Sequence, residues 1–245
     1  MNAIQAPLIQ LKQVSFAYPG RRQILDQADV TLDYRQRIGL IGPNGSGKTT
    51  LFHLLMGLIK PVEGKVLFKG REISSKEDWR ELRRSIGLLF QDADDQLFSP
   101  TVLEDVAFGP LNLGLSQQEV LGASRRTLDD LGLSRLSERI THQLSGGEKK
   151  LVSLATILSM QPEAMLLDEP TNNLDGTIRA RLISILKGLD IGYMIISHDW
   201  DFLAETCDEL YTLSDGKALR SGTEHLHCHP HAHGGGLPHE HQQQA

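Results

Sequence analysis

Cysteines and long apolar stretches are scarce in this 245-residue chain. Its two cysteines, Cys207 and Cys228, cannot build a disulfide framework, so we predict a reducing, cytosolic environment. The longest apolar stretch, residues 51–59, falls short of the roughly 20 residues that a membrane-spanning helix needs. Residues 1–7 have neither the basic segment nor the apolar core of a secretory signal, so we predict no such signal.

An excess of positive charge is also lacking. The chain has 25 lysines and arginines against 31 acidic residues, for a net charge of −6. Nonspecific nucleic-acid binding usually needs a basic surface, so no nucleic-acid partner is predicted. With 40% hydrophobic and 23% charged residues, the composition is typical of a folded protein with one large domain or two small ones.

Histidine is rare in most of the chain and concentrated at its end. Seven of the ten histidines lie in residues 224–245, which we expect to be a flexible tail after a folded body at residues 1–223. Imidazole suits nickel, cobalt, copper and zinc, so the alternating histidines of the tail are candidate nickel or cobalt ligands. An expression tag or a neutral solubilising tail are the alternatives. The alternating histidines are His225, His227, His229, His231 and His233.

The body alternates short apolar runs with helical patterns, which predicts a mainly parallel α/β core. Residues 92–160 are mostly helical by pattern, with turns at Gly109-Pro110 and Gly132. A hairpin over residues 210–219 is predicted to turn at Asp215-Gly216. The other predicted elements are a helix at 49–58 and strands at 8–16, 37–41, 66–68, 86–90, 164–167 and 193–197.

A glycine-rich segment follows the strand at 37–41 and opens the next helix. It fits the G-x-x-x-x-G-K-[ST] pattern, in which backbone N–H groups and the helix dipole hold phosphates. Lys48 is then expected to reach the β- and γ-phosphates, and Thr49 to bind Mg²⁺. The alternative is a glycine-rich turn without a ligand. The loop consists of Gly42, Pro43, Asn44, Gly45, Ser46, Gly47, Lys48 and Thr49, and we add Thr50 to the predicted nucleotide-binding set.

Two carboxylates, Asp168 and Glu169, end the apolar run that starts at residue 164. The carboxyl ends of parallel strands line the ligand crevice in α/β folds. Asp168 is therefore predicted to hold Mg²⁺, and Glu169 to orient or deprotonate an attacking water. An acidic cap on the following turn is the alternative.

A third motif, residues 144–148, reads Leu-Ser-Gly-Gly-Glu. Ser145 and Glu148 have capping-box spacing, which predicts a helix start. Together with Gln91, residues 173–175 and residues 197–199, these motifs resemble the ATP-binding-cassette (ABC) ATPases, in the family's order and over about residues 8–222. The resemblance implies a P-loop NTPase fold with a RecA-like core, an antiparallel β subdomain and a helical subdomain at about 92–160.

The resemblance also implies roles for single residues. Glu169, His198, Gln91 and Lys48 would be catalytic. His198 would contact the γ-phosphate. Gln91 would contact Mg²⁺ and the attacking water, and would sense the membrane partner. Tyr18 would stack on adenine, a core tyrosine being the alternative. His53 and His142 have no motif support, and we interpret them as structural. Ser145, Gly146 and Gly147 would bind the γ-phosphate of ATP held by a second subunit, and Thr49, Gln91 and Asp168 would surround Mg²⁺.

Two positions depart from the family pattern. Glu148 stands where glutamine is common, and Asn173 stands where serine or glycine is common. Neither change removes a catalytic group, but both concern the expected dimer interface.

Residues 94–110 are similar to the ATPases of energy-coupling-factor importers, including the cobalt and nickel group. This similarity implies an ATP-hydrolysing subunit at the cytoplasmic face of the membrane, paired with a second copy and with integral coupling and substrate-binding subunits. Val102, Val106 and Phe108 could instead be helical core. The functional alternatives are a vitamin importer, a soluble ATPase of translation or iron–sulfur assembly type, and a metal-storage protein.

Overall fold

The computed structural model describes residues 6–221 of the chain. This part contains a six-stranded sheet, a four-stranded sheet and seven α-helices. None of its helices is long and apolar enough to cross a membrane. The architecture is the mixed α/β fold that the sequence predicts.

The six-stranded sheet has the order β10-β9-β3-β8-β7-β6. All neighbouring pairs are parallel except β9 with β10, which form the predicted hairpin. Asp215 and Gly216 both have positive φ, as a tight hairpin turn requires. The strands are β3 (Arg37–Ile41), β6 (Ile86–Leu89), β7 (Ala164–Asp168), β8 (Gly192–Ile196), β9 (Glu209–Ser214) and β10 (Lys217–Ser221).

The four-stranded sheet is antiparallel, with the order β2-β1-β4-β5. Its strands are β1 (Ile9–Ala17), β2 (Gln23–Leu32), β4 (Glu63–Phe68) and β5 (Arg71–Glu72). The sequence pattern predicts β1 and β4 but not β2. The pairing of β1 with β2 has irregular register, and Gln27 has positive φ, so the strand lacks a continuous apolar alternation.

The helices are α1 (Lys48–Leu55), α2 (Lys76–Ser85), α3 (Val102–Asn112), α4 (Gln117–Asp130), α5 (Gly146–Leu158), α6 (Gly176–Gly188) and α7 (Trp200–Thr206). Alternate side chains of β7 and β8 pack into two core layers on opposite faces of the large sheet. A third core layer joins α3, α4 and α5.

The predicted turn at Gly109-Pro110 is wrong, because α3 continues through both residues. Pro110 has no N–H to donate to the carbonyl oxygen of Val106, which would be its partner in a regular helix. The hydroxyl of Ser159 donates to that oxygen instead, at 2.9 Å, and so ties α3 to the end of α5. The turn at Gly132 is confirmed, with positive φ just after α4.

Candidate active site

The carboxyl ends of three neighbouring parallel strands meet at one edge of the large sheet. The phosphate loop follows β3, Asp168 ends β7 with Glu169 directly after it, and Ser197-His198 follow β8. Because β3, β8 and β7 are consecutive in the sheet, motifs far apart in sequence become neighbours. The strand order therefore builds the site.

The phosphate loop opens α1 with free backbone donors. Gly47 caps this helix with φ 103°, and no side chain accepts a hydrogen bond at the cap. A Cβ at Gly47 would lie 2.4 Å from Cγ2 of Ile24, so glycine is required for space as well as for backbone angle. The unpaired N–H groups at such a helix start favour a bound phosphate.

Lys48 is buried inside this loop. Its Nζ donates to the carbonyl oxygens of Gly42 at 2.8 Å and Pro43 at 3.0 Å. Burial lowers the pKa of Lys48, while the nearby charges of Glu169 and Asp168 oppose that shift. The ammonium is therefore close to both carboxylates and to the place where phosphates are expected.

Asp168 is 4% exposed and meets Thr49, as expected for a shared Mg²⁺ site. Oδ2 of Asp168 accepts a hydrogen bond from the Thr49 hydroxyl at 2.7 Å, whereas Oδ1 is buried without a partner. Burial raises the pKa of Asp168. A cation would satisfy the orphaned oxygen and favour the ionised carboxylate, and one carboxylate with phosphates is the usual Mg²⁺ environment. The residues present fit Mg²⁺.

Glu169 lies beside His198, with 3.3 Å between Oε1 and Nε2. Its backbone has φ 44°, which is uncommon for a residue with a side chain and is typical of functional sites. The Glu169 N–H donates to the carbonyl oxygen of Ile196 at 2.9 Å, which anchors this strained backbone to β8. Burial raises the pKa of Glu169, with the neighbouring Asp168 charge adding to that shift. Both features suit a proton acceptor.

These groups line a cleft of about 560 Å³, which lies in the usual size range for ligand sites. Gln91 reaches it from the segment after β6, and Tyr18 and Thr50 border it as well. The Tyr18 ring contacts Phe16 edge-on, and its hydroxyl lies 3.5 Å from Thr50 Oγ1. Tyr18 thus shares in core packing while facing the cleft.

The Ser145 segment faces a neighbouring cavity of about 520 Å³, through Gly146. The capping box is confirmed: Ser145 Oγ accepts from the Glu148 N–H at 3.3 Å, and Glu148 Oε2 accepts from the Ser145 N–H at 3.0 Å. The Ser145 hydroxyl also donates to Glu148, whose pKa these contacts hold low. Ser145, Gly146 and Gly147 do not line the cleft of the phosphate loop in the same chain.

Two further residues at this site have no sequence motif. His53 and Lys150 line the cavity with Thr49, Gln91 and Asp168. His53 follows Thr49 by four residues, so helical spacing alone could have placed it on the same face of α1. No comparable signal exists for Lys150.

The candidate nickel or cobalt ligands of the tail, at residues 225–233, lie outside the described residues. Between residues 6 and 221, no group of three or more histidine, cysteine or acidic side chains is arranged to hold a metal ion.

Comparison with known proteins places these motifs in a family. The ABC transporter family model matches residues 25–172. A protein of Nitratidesulfovibrio vulgaris that carries the name of an ABC transporter ATP-binding protein is 53% identical over 96% of this chain and 86% of its own length. An energy-coupling factor transporter ATP-binding protein of Methanothermobacter thermautotrophicus is 42% identical over 88% of this chain and 71% of its own length.

Solved structures agree with the sequence relatives. The cbiO1 protein of Clostridium perfringens, part of the transporter complex cbiONQ, superposes with a TM-score of 0.80 at 32% identity over 91% of each chain. A dimeric bacterial ABC transporter cassette gives a TM-score of 0.78 at 26% identity, over 87% of this chain and 98% of its own. The chain therefore belongs to the ABC transporter family, as one of its ATP-hydrolysing subunits.

Proposed function

We propose that this chain powers an energy-coupling-factor importer from the cytoplasmic face of the membrane, and that the importer carries nickel or cobalt. The observation that carries membrane docking is an exposed aromatic pair, Phe98 and Phe108, near the segment that bears Gln91. The metal cargo rests on the alternating histidines of residues 225–233. The names of the Methanothermobacter relative and of the Clostridium structure support the same branch of the family.

ATP hydrolysis would use the cleft at the sheet edge. Lys48 would leave its carbonyl partners and bind the β- and γ-phosphates. Thr49 and Asp168 would hold Mg²⁺, which supplies charge neutralisation when bound. Glu169 would accept a proton from the attacking water, and His198, whose side chain is 53% exposed, would contact the γ-phosphate from solvent.

A second copy would close over the cleft head to tail. Gly146 supports this arrangement, because a Cβ there would meet no atom within 4 Å. Packing inside this chain therefore gives no reason for a glycine at Gly146, whereas close approach of a phosphate at a helix start does. The dimeric cassette structure is consistent with such a pair.

The proposed docking surface for the membrane subunits, here called the α3 patch, consists of Phe98, Phe108 and Leu111. These side chains are 66%, 47% and 60% exposed. The rings of Phe98 and Phe108 meet edge-on, with 4.8 Å between their centroids. Exposed apolar patches of this kind mark interaction surfaces. Val102 and Val106 are fully buried, so the core interpretation is right for them and fails for Phe108.

A buried carboxylate ties the α3 patch to the segment that precedes residues 144–148. Asp105 is 2% exposed and accepts hydrogen bonds from the Phe98 N–H at 3.1 Å, the Ser99 N–H at 2.9 Å and the Thr141 hydroxyl at 3.1 Å. Thr141 lies four residues before Ser145. A partner bound to the patch would therefore contact residues that continue along the chain to Gln91 on one side and, through Thr141, to residues 144–148 on the other.

The docking proposal is tested with the double variant Phe98→Ser/Phe108→Ser. We expect the isolated chain to keep its ATPase rate within about twofold, because neither ring enters the cleft. Its binding to membrane vesicles from the source organism should fall at least tenfold, since the apolar anchors are lost. Leu219→Ser is the matched control, because Leu219 is an equally exposed apolar residue (62%) on β10. Wild-type binding by the double variant would contradict the proposal.

The substrate is tested by uptake of radiolabelled nickel and cobalt in a strain that lacks this chain. Wild type should restore uptake and Glu169→Gln should not. Normal metal uptake in the deleted strain together with lost vitamin uptake would contradict the metal assignment. Deleting residues 224–245 and measuring Ni²⁺ binding by calorimetry tests the tail, and unchanged binding would refute its role as a metal site.

A further inference from the structure

Lys150, on the second turn of α5, is a buried cation. It is 4% exposed, and its Nζ donates to the carbonyl oxygens of Gln91 at 2.7 Å and Phe90 at 3.3 Å. Burial lowers its pKa, while the charges of Asp92 and Asp168 oppose the shift. A buried ammonium is unfavourable unless it is well paired, and an apolar residue would fill this part of a helix at lower cost. Packing alone therefore does not explain a lysine here.

Two neighbouring contacts hold the same segment at other points. Lys149 pairs with Asp94 at 2.6 Å. The amide of Gln96 donates to Ser153 O and Thr156 Oγ1, both at 2.9 Å. These contacts hold residues 94–96, which follow Gln91 in the sequence. The bond from Lys150 is the one that reaches Gln91 itself.

The position of Lys150 links two different ATP sites. The start of α5 carries Ser145 and Gly146, which the proposed function assigns to ATP held by the second copy. Gln91 faces Thr49 and Asp168 across the cavity of its own chain. Lys150 joins the two directly, because it lies on α5 and holds the backbone of Gln91.

We propose that Lys150 is a positioning residue for hydrolysis, which holds the Gln91 backbone against α5. Gln91 then faces its own ATP only while α5 is in place against the ATP of the second copy. This inference rests on the proposed head-to-tail pair. It makes hydrolysis in one cleft depend on closure over the other.

A double-mutant cycle between Lys150 and Gln91 tests the proposal. Lys150→Met keeps the length of the side chain and removes its donors. We expect kcat to fall ten- to hundredfold, with the KM for ATP within threefold. In a Gln91→Ala background, Lys150→Met should lower kcat less than threefold further, because its effect passes through Gln91. Effects that multiply would overturn the proposal, since a purely structural lysine would act independently of Gln91.

Lys149→Met is the matched control, because it removes the adjacent lysine of the same helix and leaves the Gln91 carbonyl held. Its kcat should stay within threefold of wild type, and a loss equal to that of Lys150→Met would overturn the proposal. If Lys150→Met does not fold, Lys150→Gln replaces it in the cycle, since its shorter amide also loses the reach of the ammonium.

Hydrogen exchange without nucleotide gives a readout that does not depend on activity. Peptides covering residues 90–97 should exchange at least tenfold faster in Lys150→Met, while those from α6 should not change. Unchanged exchange at 90–97 would overturn the proposal. Light scattering with ATP checks the pair separately: a wild-type chain that hydrolyses ATP as a monomer would refute the proposed pairing, while the exchange result would still report on Lys150.

Discussion

Replacing Glu169 by glutamine removes the proposed base with the smallest possible change in shape. The side chain is 14% exposed and lies 3.3 Å from His198 Nε2. Glutamine can keep a contact with His198 and the backbone bond to Ile196, so we expect no change in fold. It cannot accept a proton from water at neutral pH.

The size of the effect follows from the role of the base. A positioned general base contributes about 10²- to 10⁴-fold, or roughly 3–5 kcal/mol of barrier. Burial raises the pKa of Glu169 and makes it a stronger base than an exposed glutamate. The neighbouring Asp168 cannot replace it, because one of its oxygens is engaged by Thr49. We therefore expect kcat to fall about 10³-fold.

ATP binding should survive this substitution. The contacts of Lys48 and Thr49 stay in place, and one negative charge near the expected γ-phosphate is removed, so the Kd for ATP should be unchanged or lower. Phosphate release measures kcat, and calorimetry with ATP in Mg²⁺ measures the Kd. Glu163→Gln is the control, because this partly exposed glutamate pairs with Lys69 at 2.7 Å. Turnover within tenfold of wild type in Glu169→Gln would refute Glu169 as the base.

Three other outcomes follow from the same geometry. Asp105→Ala leaves the Thr141 hydroxyl and two backbone N–H groups without their acceptor. The free energy of unfolding, measured by urea titration, should fall by about 2–4 kcal/mol, and a loss below about 1 kcal/mol would contradict this. Glu148→Gln removes a negative charge beside Ser145, where the phosphate of the second copy's ATP is expected. ATP-induced dimerisation, measured by light scattering, should therefore tighten about two- to fivefold. Weaker dimerisation would be inconsistent with phosphate binding at Ser145. Glu169 must be ionised to accept a proton, and its pKa is raised. The wild-type kcat should therefore decline as pH falls through that raised pKa, at a higher pH than for an ordinary glutamate. A kcat that stays constant at acidic pH in stopped-flow assays would argue against Glu169 as the base.

Sequence pattern predicts the strands of the large sheet because most of them are buried on both faces. All residues of β7 and β8 are buried, which gives short continuous apolar runs. The pattern fails for α2, where only Leu82 is buried and the remaining residues are mostly charged. It also fails at Pro110. The hydroxyl that donates to the Val106 carbonyl oxygen, in place of the missing Pro110 N–H, comes from Ser159, 49 positions later in the sequence.

The residues of the candidate site also fall into two groups, those that the sequence predicts and those that it does not. Lys48, Asp168 and Glu169 were predictable because each belongs to a short motif at the carboxyl end of a buried strand. Lys150 was not, because its significance depends on the tertiary contact with Gln91, which no spacing in the sequence shows.

The distribution of these contacts indicates which step a membrane partner can control. Asp168 is the last residue of a fully buried strand in the large sheet, and Glu169 follows it directly. A partner bound at the α3 patch is therefore not expected to move these two carboxylates. Gln91 is exposed, and the side chains of Lys149 and Lys150 on α5 hold its segment at Asp94 and at the Gln91 carbonyl oxygen. A partner on the proposed docking patch would therefore displace Gln91 while the phosphate loop and Lys48 stay fixed. Since nucleotide binding depends on the loop and water activation involves Gln91, partner binding should change kcat more than the KM for ATP.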